Sequence, residues 1–117
     1  MSGIVSHLKG AASEDQVAML YEKRGATIVA RRWMGDGGEI DLICEQAGQI
    51  IFIEVKSSAT IARALESLGP RQIKRLLASA SDFLSRQPSG ALTDMRFDVA
   101  AVDGTGRIEI VENALMA

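Results

Sequence analysis

The chain has 117 residues and a mass of 12.5 kDa; 47% of the residues are hydrophobic and 24% are charged, which is typical of one globular domain. Its single cysteine, Cys44, excludes an internal disulfide framework, and no cysteine and histidine cluster of the zinc type is present. The sequence lacks an apolar run of membrane-spanning length and a signal core. We therefore expect one cytoplasmic domain over residues 1–117 that makes no membrane contact, with residues 1–12 as a candidate flexible segment.

The formal net charge of −2 is unevenly distributed along the chain. Residues 1–55 and residues 94–117 each carry a charge of −3, whereas residues 56–86 carry +4. A basic segment of this kind can form a local phosphate-binding face on an acidic protein. On charge alone, a solvated helix face is the simpler interpretation.

The first predicted element is a helix over residues 14–24. Gly25 follows it as a natural stop, and Ser13 is a candidate N-cap, whereas the preceding residues have no regular pattern. The apolar positions that recur at near-helical spacing are Val17, Ala18, Leu20 and Tyr21.

Three strands are predicted next, over residues 26–33, 39–45 and 49–56. The connections at residues 35–38 and 47–48 are glycine-containing turns. Because these connections are too short for a crossover, the three strands form an antiparallel meander.

Residues 57–69 are predicted to form a mobile loop with a helical turn around residues 62–68. Pro70 then begins a helix that reaches about Arg86. One face of this helix is apolar, and basic residues lie away from that face. The apolar positions are Ile73, Leu76, Leu77, Ala80, Phe83 and Leu84, and the basic ones are Arg71, Lys74 and Arg75.

The last two predicted strands cover residues 96–102 and 107–111, after a break at residues 88–90. The turn between them is Asp103-Gly104-Thr105-Gly106. The complete order is αβββαββ, which predicts an α/β fold.

Charged residues at the end of a buried strand point to a functional site. Residues 50–53 form a continuous apolar run, which predicts a central strand covered on both faces, and Glu54 and Lys56 follow at once. Because strand side chains alternate, Phe52, Glu54 and Lys56 share one face. The simplest interpretation is an ion pair between Glu54 and Lys56 at a fraying strand end.

Asp41 on the preceding strand makes a metal site the stronger hypothesis. A hairpin that turns at residues 47–48 and contains no bulge would place Asp41 directly opposite Glu54. Two opposed carboxylates repel each other unless a cation lies between them. Oxygen ligands suit Mg²⁺ or Mn²⁺, and the lack of a histidine and cysteine set argues against zinc. In this hypothesis Asp41 and Glu54 bind the metal, and the Lys56 amine assists catalysis.

The same residues carry a resemblance to a known family. Asp41 followed by Glu54-Val55-Lys56 resembles the PD-(D/E)xK signature of restriction-endonuclease-like nucleases. The longer context, with Ser13-Glu14 in the first helix, is similar to the YraN family over residues 10–115. The further matching segments are Gly38-Glu39-Ile40-Asp41-Leu42-Ile43, Phe52-Ile53-Glu54-Val55-Lys56, Arg96-Phe97-Asp98-Val99 and Glu112-Asn113-Ala114.

This resemblance implies a restriction-endonuclease-like fold, with a central mixed β-sheet and flanking helices, related to Holliday-junction resolvases. It implies that Glu14 reaches the site, that Asp41 and Glu54 bind Mg²⁺ or Mn²⁺, and that Lys56 serves catalysis. Lys56 would orient or deprotonate a water, or neutralise developing charge. The expected activity is metal-dependent endonuclease cleavage of structured or branched DNA. Junction resolution normally needs two symmetric cuts, which a homodimer would supply.

The basic segment supplies candidate nucleic-acid contacts, and two alternatives to an enzyme stay open. Contacts to phosphates position a duplex without reading its sequence; the candidates are Arg63, Arg71, Lys74 and Arg75. A non-catalytic nucleic-acid-binding module is favoured by the net negative charge and by Ser58 and Gln72, which stand at positions that are often basic in the family. A protein-interaction subunit is suggested by the apolar tail over residues 114–117.

Overall fold

A computed structural model describes the backbone of residues 2–115 and the side chains of residues 10–115. The predicted order αβββαββ is confirmed, with one short helix and one 3₁₀ turn added. None of the described helices is long and apolar enough to span a membrane. The elements are α1 (Ser2–Lys23), β1 (Thr27–Gly35), β2 (Gly38–Gln46), β3 (Gln49–Ser57), α2 (Ile61–Glu66), α3 (Pro70–Ser85), the 3₁₀ turn Gly90–Leu92, β4 (Met95–Val102) and β5 (Ile108–Val111).

The predicted start of the first helix is wrong, because α1 already begins at Ser2. Residues 10–13 read Gly-Ala-Ala-Ser, and a single glycine costs a helix only about 1 kcal/mol, which is too little to end it. Ser13 is therefore not an N-cap. Its buried hydroxyl oxygen accepts a hydrogen bond of 2.8 Å from the Ser57 hydroxyl, which attaches α1 to the end of β3.

The sheet contains five strands in the order β1-β2-β3-β4-β5, so the apolar run at residues 50–53 lies in the central strand, as predicted. The first three strands are antiparallel, β3 and β4 are parallel, and β4 and β5 are antiparallel. A parallel neighbour requires a crossover connection. Residues 58–94 form that crossover and carry α2 and α3 across the sheet.

Each face of the sheet has its own apolar core. Leu42 and Cys44 point to the α1 side, whereas Ile43 and Phe52 point to the α3 side, as strand alternation requires. Phe52 lies between Phe83 of α3 and Phe97 of β4, with both ring centroids 5.7 Å away. The central strand is therefore covered on both faces, which explains its unbroken apolar sequence.

The turn between β1 and β2 fixes the position of α3. The Gly37 N–H donates a 3.0 Å hydrogen bond to the Ser79 hydroxyl, which in turn donates to the Gly38 carbonyl at 2.8 Å. A side chain at Gly37 would collide with the backbone carbonyl oxygen of Arg75, so the two backbones approach closely. These contacts hold the middle of α3 against the turn that leads into β2, the strand that carries Asp41.

Asp98 is a structural acceptor on the other side of the sheet. Its fully buried carboxylate accepts hydrogen bonds from the Tyr21 hydroxyl at 2.7 Å, the Arg96 guanidinium at 3.0 Å and the Asn113 N–H at 3.0 Å. Burial and this contact raise the pKa of Tyr21. The network ties α1, β4 and the segment after β5 together.

The chain folds back onto the sheet after β5. The Ala114 N–H donates to the Phe97 carbonyl at 2.8 Å, and Leu115 packs against the core on the α3 side. The remaining two residues of the predicted apolar interaction tail, 116 and 117, lie outside the described residues.

Candidate functional site

Strands β2 and β3 separate at the two predicted carboxylates. Their ladder runs from Gln46 and Gln49 to Leu42 and Ile53, which is the register that the predicted turn requires. The next positions in that register are Asp41 and Glu54. There the Asp41 carboxylate accepts a 2.8 Å hydrogen bond from the Val55 N–H. This side-chain contact replaces the backbone hydrogen bonds of the ladder, which ends at Leu42 and Ile53. We call residues 39–41 and 54–56 the β2–β3 fork.

Glu54 is a buried carboxylate held through one of its two oxygens. Its exposed fraction is 5%, and its Oε2 accepts a 2.8 Å hydrogen bond from the Gln72 amide of α3. The Lys56 ammonium lies 3.5 Å from the same oxygen, which is the ion pair expected from strand alternation. Oε1 is the one buried side-chain polar atom without a hydrogen-bond partner in the described part of the chain.

The electrostatics of the fork favour a bound cation or a bound proton. Burial, and then the neighbouring Asp41 carboxylate, raise the pKa of Glu54 to about 8, and Lys56 offsets only part of this effect. A buried acceptor without a partner, next to a second carboxylate, is unfavourable unless a positive group approaches it.

Glu14 reaches the same group of acids from α1. Burial raises its pKa, and the negative charges of Asp41 and Glu39 raise it further. The Arg32 guanidinium opposes this shift by donating a 3.1 Å hydrogen bond to Glu14 Oε1. The four predicted catalytic residues, Glu14, Asp41, Glu54 and Lys56, therefore lie in one region.

Arg32 has an unusual backbone conformation. Its φ of 49° lies in the left-handed region, which residues other than glycine rarely adopt. Arg31 and Arg32 both bind α1 residues, namely Asp15 at 2.7 Å and Glu14 at 3.1 Å. Strand alternation alone would send these neighbours to opposite faces. The local backbone therefore places two cations on the α1 side, next to the acidic fork.

The predicted basic residues form an exposed surface at the start of α3 and on α2. Their side chains take part in no ion pair among the described residues, so they are available to an anionic ligand. Gln72 lies in the same helical turn and contacts Glu54, which places this surface beside the fork. The exposed basic residues are Arg63, Arg71, Lys74 and Arg75.

The donor set of the fork fits a hard divalent cation. Asp41 and Glu54 supply carboxylate oxygens from two adjacent strands, and Glu54 Oε1 is free of other partners. The described residues contain no cluster of three or more histidine, cysteine, aspartate or glutamate side chains arranged to hold a metal. The two acids would thus be completed by backbone or solvent oxygens, as Mg²⁺ tolerates well.

Gln72 is the site residue that sequence reasoning missed. A glutamine at an often basic family position favours a non-catalytic module when the sequence is considered alone, yet the Gln72 amide contacts Glu54 directly. The only available signal was its place in the first turn of the helix that follows the Glu54-Val55-Lys56 triplet. Trp33 has a packing role, because its ring lies edge-on against Phe83 at a centroid distance of 5.2 Å.

The fold and the site define a mixed α/β domain with an acidic fork on its central strand, an architecture compatible with the restriction-endonuclease-like fold. The sequence matches the Uncharacterised protein family UPF0102 over residues 13–102. The chain therefore belongs to this family, which is the YraN family that its motifs resemble.

Individual proteins of the UPF0102 family are similar in sequence to this chain along almost their whole length. A UPF0102 protein of Ruegeria pomeroyi is 58% identical over 112 residues, which cover 96% of this chain and 91% of that protein. One from Cereibacter sphaeroides is 52% identical over the full length of both chains. Another, from Roseobacter denitrificans, is 42% identical over 97% of this chain and 88% of its own.

Proposed function

We propose that this protein is a metal-dependent endonuclease that hydrolyses phosphodiesters in structured or branched DNA. The observation that carries the proposal is the buried Glu54 carboxylate, whose Oε1 has no partner although Asp41 lies beside it. A buried, partly satisfied acidic pair is costly for folding, and such pairs cluster at functional sites. The exposed basic surface next to the fork supplies the matching contacts for a phosphate backbone.

Asp41 and Glu54 are the residues that would hold Mg²⁺ or Mn²⁺. A bound divalent cation supplies Lewis-acid polarisation of the phosphate and makes a water easier to deprotonate. Lys56, with its ammonium 3.5 Å from Glu54 Oε2, would balance negative charge on the phosphate. Glu14, which is half-buried and has Asp41 among its electrostatic neighbours, would orient the attacking water or accept its proton.

The reaction is a hydrolysis, so water is the only reactant besides the phosphodiester. The water oxygen forms a new bond to phosphorus, and the bond from phosphorus to one sugar oxygen breaks. The proton released by the water passes to a carboxylate, and the departing sugar oxygen takes up a proton from solvent. The basic residues of α2 and α3 bind flanking phosphates, which fixes the position of the scissile bond without reading sequence.

Cleavage of a labelled panel tests the proposal. Single-stranded, duplex, flap and four-way-junction DNA are incubated with Mg²⁺ or Mn²⁺ and with wild type, Glu54→Gln, Lys56→Ala or Glu66→Gln. Glu66 is an exposed carboxylate of α2, so its variant is a matched control for purification and for loss of one charge. We expect cleavage by wild type and Glu66→Gln, and a loss of at least about a hundredfold in the two fork variants. Equal cleavage by wild type, Glu54→Gln and Lys56→Ala would refute the assignment.

A second candidate function rests on the basic surface alone. Arg71, Lys74 and Arg75 are exposed and unpaired in the described structure, and binding through them requires no chemistry at the fork. A non-catalytic module would bind the same DNA panel with strong salt dependence and leave it uncut with either cation.

A further inference from the structure

Gln72 connects α3 to the acidic fork through a single hydrogen bond. Its side-chain amide donates to Glu54 Oε2 at 2.8 Å, across a sequence separation of 18 residues. Lys56 approaches the same oxygen at 3.5 Å, so the neutral amide donor and the ammonium both contact Oε2, and neither contacts Oε1. The two oxygens of one carboxylate therefore have different roles.

The terminal torsion of a glutamate is broad and roughly two-fold, so packing alone does not fix which oxygen faces which neighbour. A directional N–H donor does fix it. Lys56 is a weaker constraint, because an ammonium at 3.5 Å acts mainly as a point charge. The Gln72 amide, at a shorter distance, is the contact that determines the carboxylate orientation.

We propose that Gln72 is a positioning residue for Glu54: it holds Oε2 from the first turn of α3 and thereby leaves Oε1 free as the ligand atom for a divalent cation. This inference rests on the proposed function, because it takes Glu54 as a metal ligand. Hydrogen-bond partners of metal ligands are known to orient the ligand and to strengthen metal binding. The amide of Gln72 would have this role here.

Because of its position on α3, Gln72 could either orient the Glu54 carboxylate or hold the helix in place, and these two roles can be distinguished. Arg71 and Lys74 flank it on the exposed surface, and α3 is independently fixed by the Ser79 contacts with Gly37 and Gly38. Removal of the amide should therefore change the affinity for metal without moving the basic surface. A role limited to holding α3 would change DNA binding as well.

Direct titration of the purified full chain with Mn²⁺ tests the proposal without any activity assay. Calorimetry is performed on wild type, Gln72→Met, Gln72→Ala, Asp41→Asn and Gln87→Met. Gln87→Met is the matched control, because it makes the same replacement after the end of α3 and away from the fork. Duplex DNA binding in the absence of divalent cations and the thermal unfolding midpoint are measured on each variant.

We expect Gln72→Met and Gln72→Ala to weaken Mn²⁺ binding by roughly tenfold to a hundredfold. We expect DNA binding within about twofold of wild type, an unfolding midpoint lowered by only about 5 °C through loss of one hydrogen bond, and no effect of Gln87→Met. Wild-type Mn²⁺ affinity in both Gln72 variants, with loss in Asp41→Asn, would overturn the positioning role and leave the proposed function intact. A parallel loss of Mn²⁺ binding, DNA binding and thermal stability would assign Gln72 a structural role instead. Failure of wild type to bind Mn²⁺ would overturn both proposals.

Discussion

The replacement Glu54→Gln should stabilise the protein at neutral pH in the absence of divalent cations. Glu54 has an ordinary pKa of 4.5 when unfolded, and burial next to Asp41 raises the pKa of the folded state to about 8. Between these two values the unfolded chain is ionised at this position while the folded chain holds the proton. Stability from this group is therefore fully present below pH 4.5 and is lost as the pH rises towards 8.

The size of the effect follows from the same two pKa values. Each pH unit in that window lowers the free energy of unfolding by about 1.4 kcal/mol, so the loss at pH 7 is about 3 kcal/mol. For a domain of this size that is a large share of the total stability. Glutamine carries no charge and still offers Gln72 an acceptor oxygen, so Glu54→Gln escapes this loss.

Urea unfolding between pH 5 and pH 8, in buffer that contains a chelator, measures the difference. We expect Glu54→Gln and wild type to be similar near pH 5 and to differ by about 3 kcal/mol at pH 7, with the variant more stable. The exposed carboxylate variant Glu66→Gln should follow wild type throughout. Addition of Mg²⁺ should stabilise wild type and leave Glu54→Gln unchanged. A constant difference between wild type and Glu54→Gln across this pH range would refute the reasoning.

Three further predictions concern the scaffold and the basic surface. Gly37→Ala should lower the free energy of unfolding by about 2 kcal/mol, because its methyl group would meet the Arg75 carbonyl; an unchanged urea midpoint would show that the turn can shift. Asp98→Asn should cost about 3 kcal/mol by breaking a buried charged network, and full stability by the same assay would mean that the network contributes little. Replacing Arg71, Lys74 and Arg75 with glutamine should reduce the slope of log binding constant against log salt by roughly 0.9 for each phosphate that is no longer neutralised. An unchanged slope in a duplex-binding titration would exclude this surface as the interface.

Local patterns in the chain predicted most of the architecture. The apolar run at residues 50–53 indicated a central strand, and the two-residue turn at 47–48 fixed a register that the ladder follows from Gln46 to Leu42. Helix α3 begins at Pro70 as predicted, with Leu76, Ala80 and Phe83 buried. These features depend on hydrophobic periodicity and on turn chemistry, which a single sequence shows directly.

Contacts between distant residues were not accessible in this way. The start of α1 was misplaced, because its first residues carry no clear periodicity. The left-handed backbone at Arg32 and the hydrogen bond from Tyr21 to Asp98, 77 positions away, have no local signature. Such features depend on which side chains meet after the elements pack.

The β2–β3 fork shows most clearly which features follow from the sequence and which depend on the tertiary structure. The sequence by itself determined the hairpin register, which brings Asp41 and Glu54 to the end of the same ladder, and it placed Lys56 on the same face as Glu54. Both follow from counting residues from the turn at 47–48 and along a strand whose side chains alternate. Only the tertiary structure decided that Asp41 binds the Val55 N–H, that Gln72 and Lys56 both hold Oε2, and that Oε1 is left free. The physical reason is that α3 reaches the fork through a crossover, and the packing of that helix onto the sheet is a property of the whole fold.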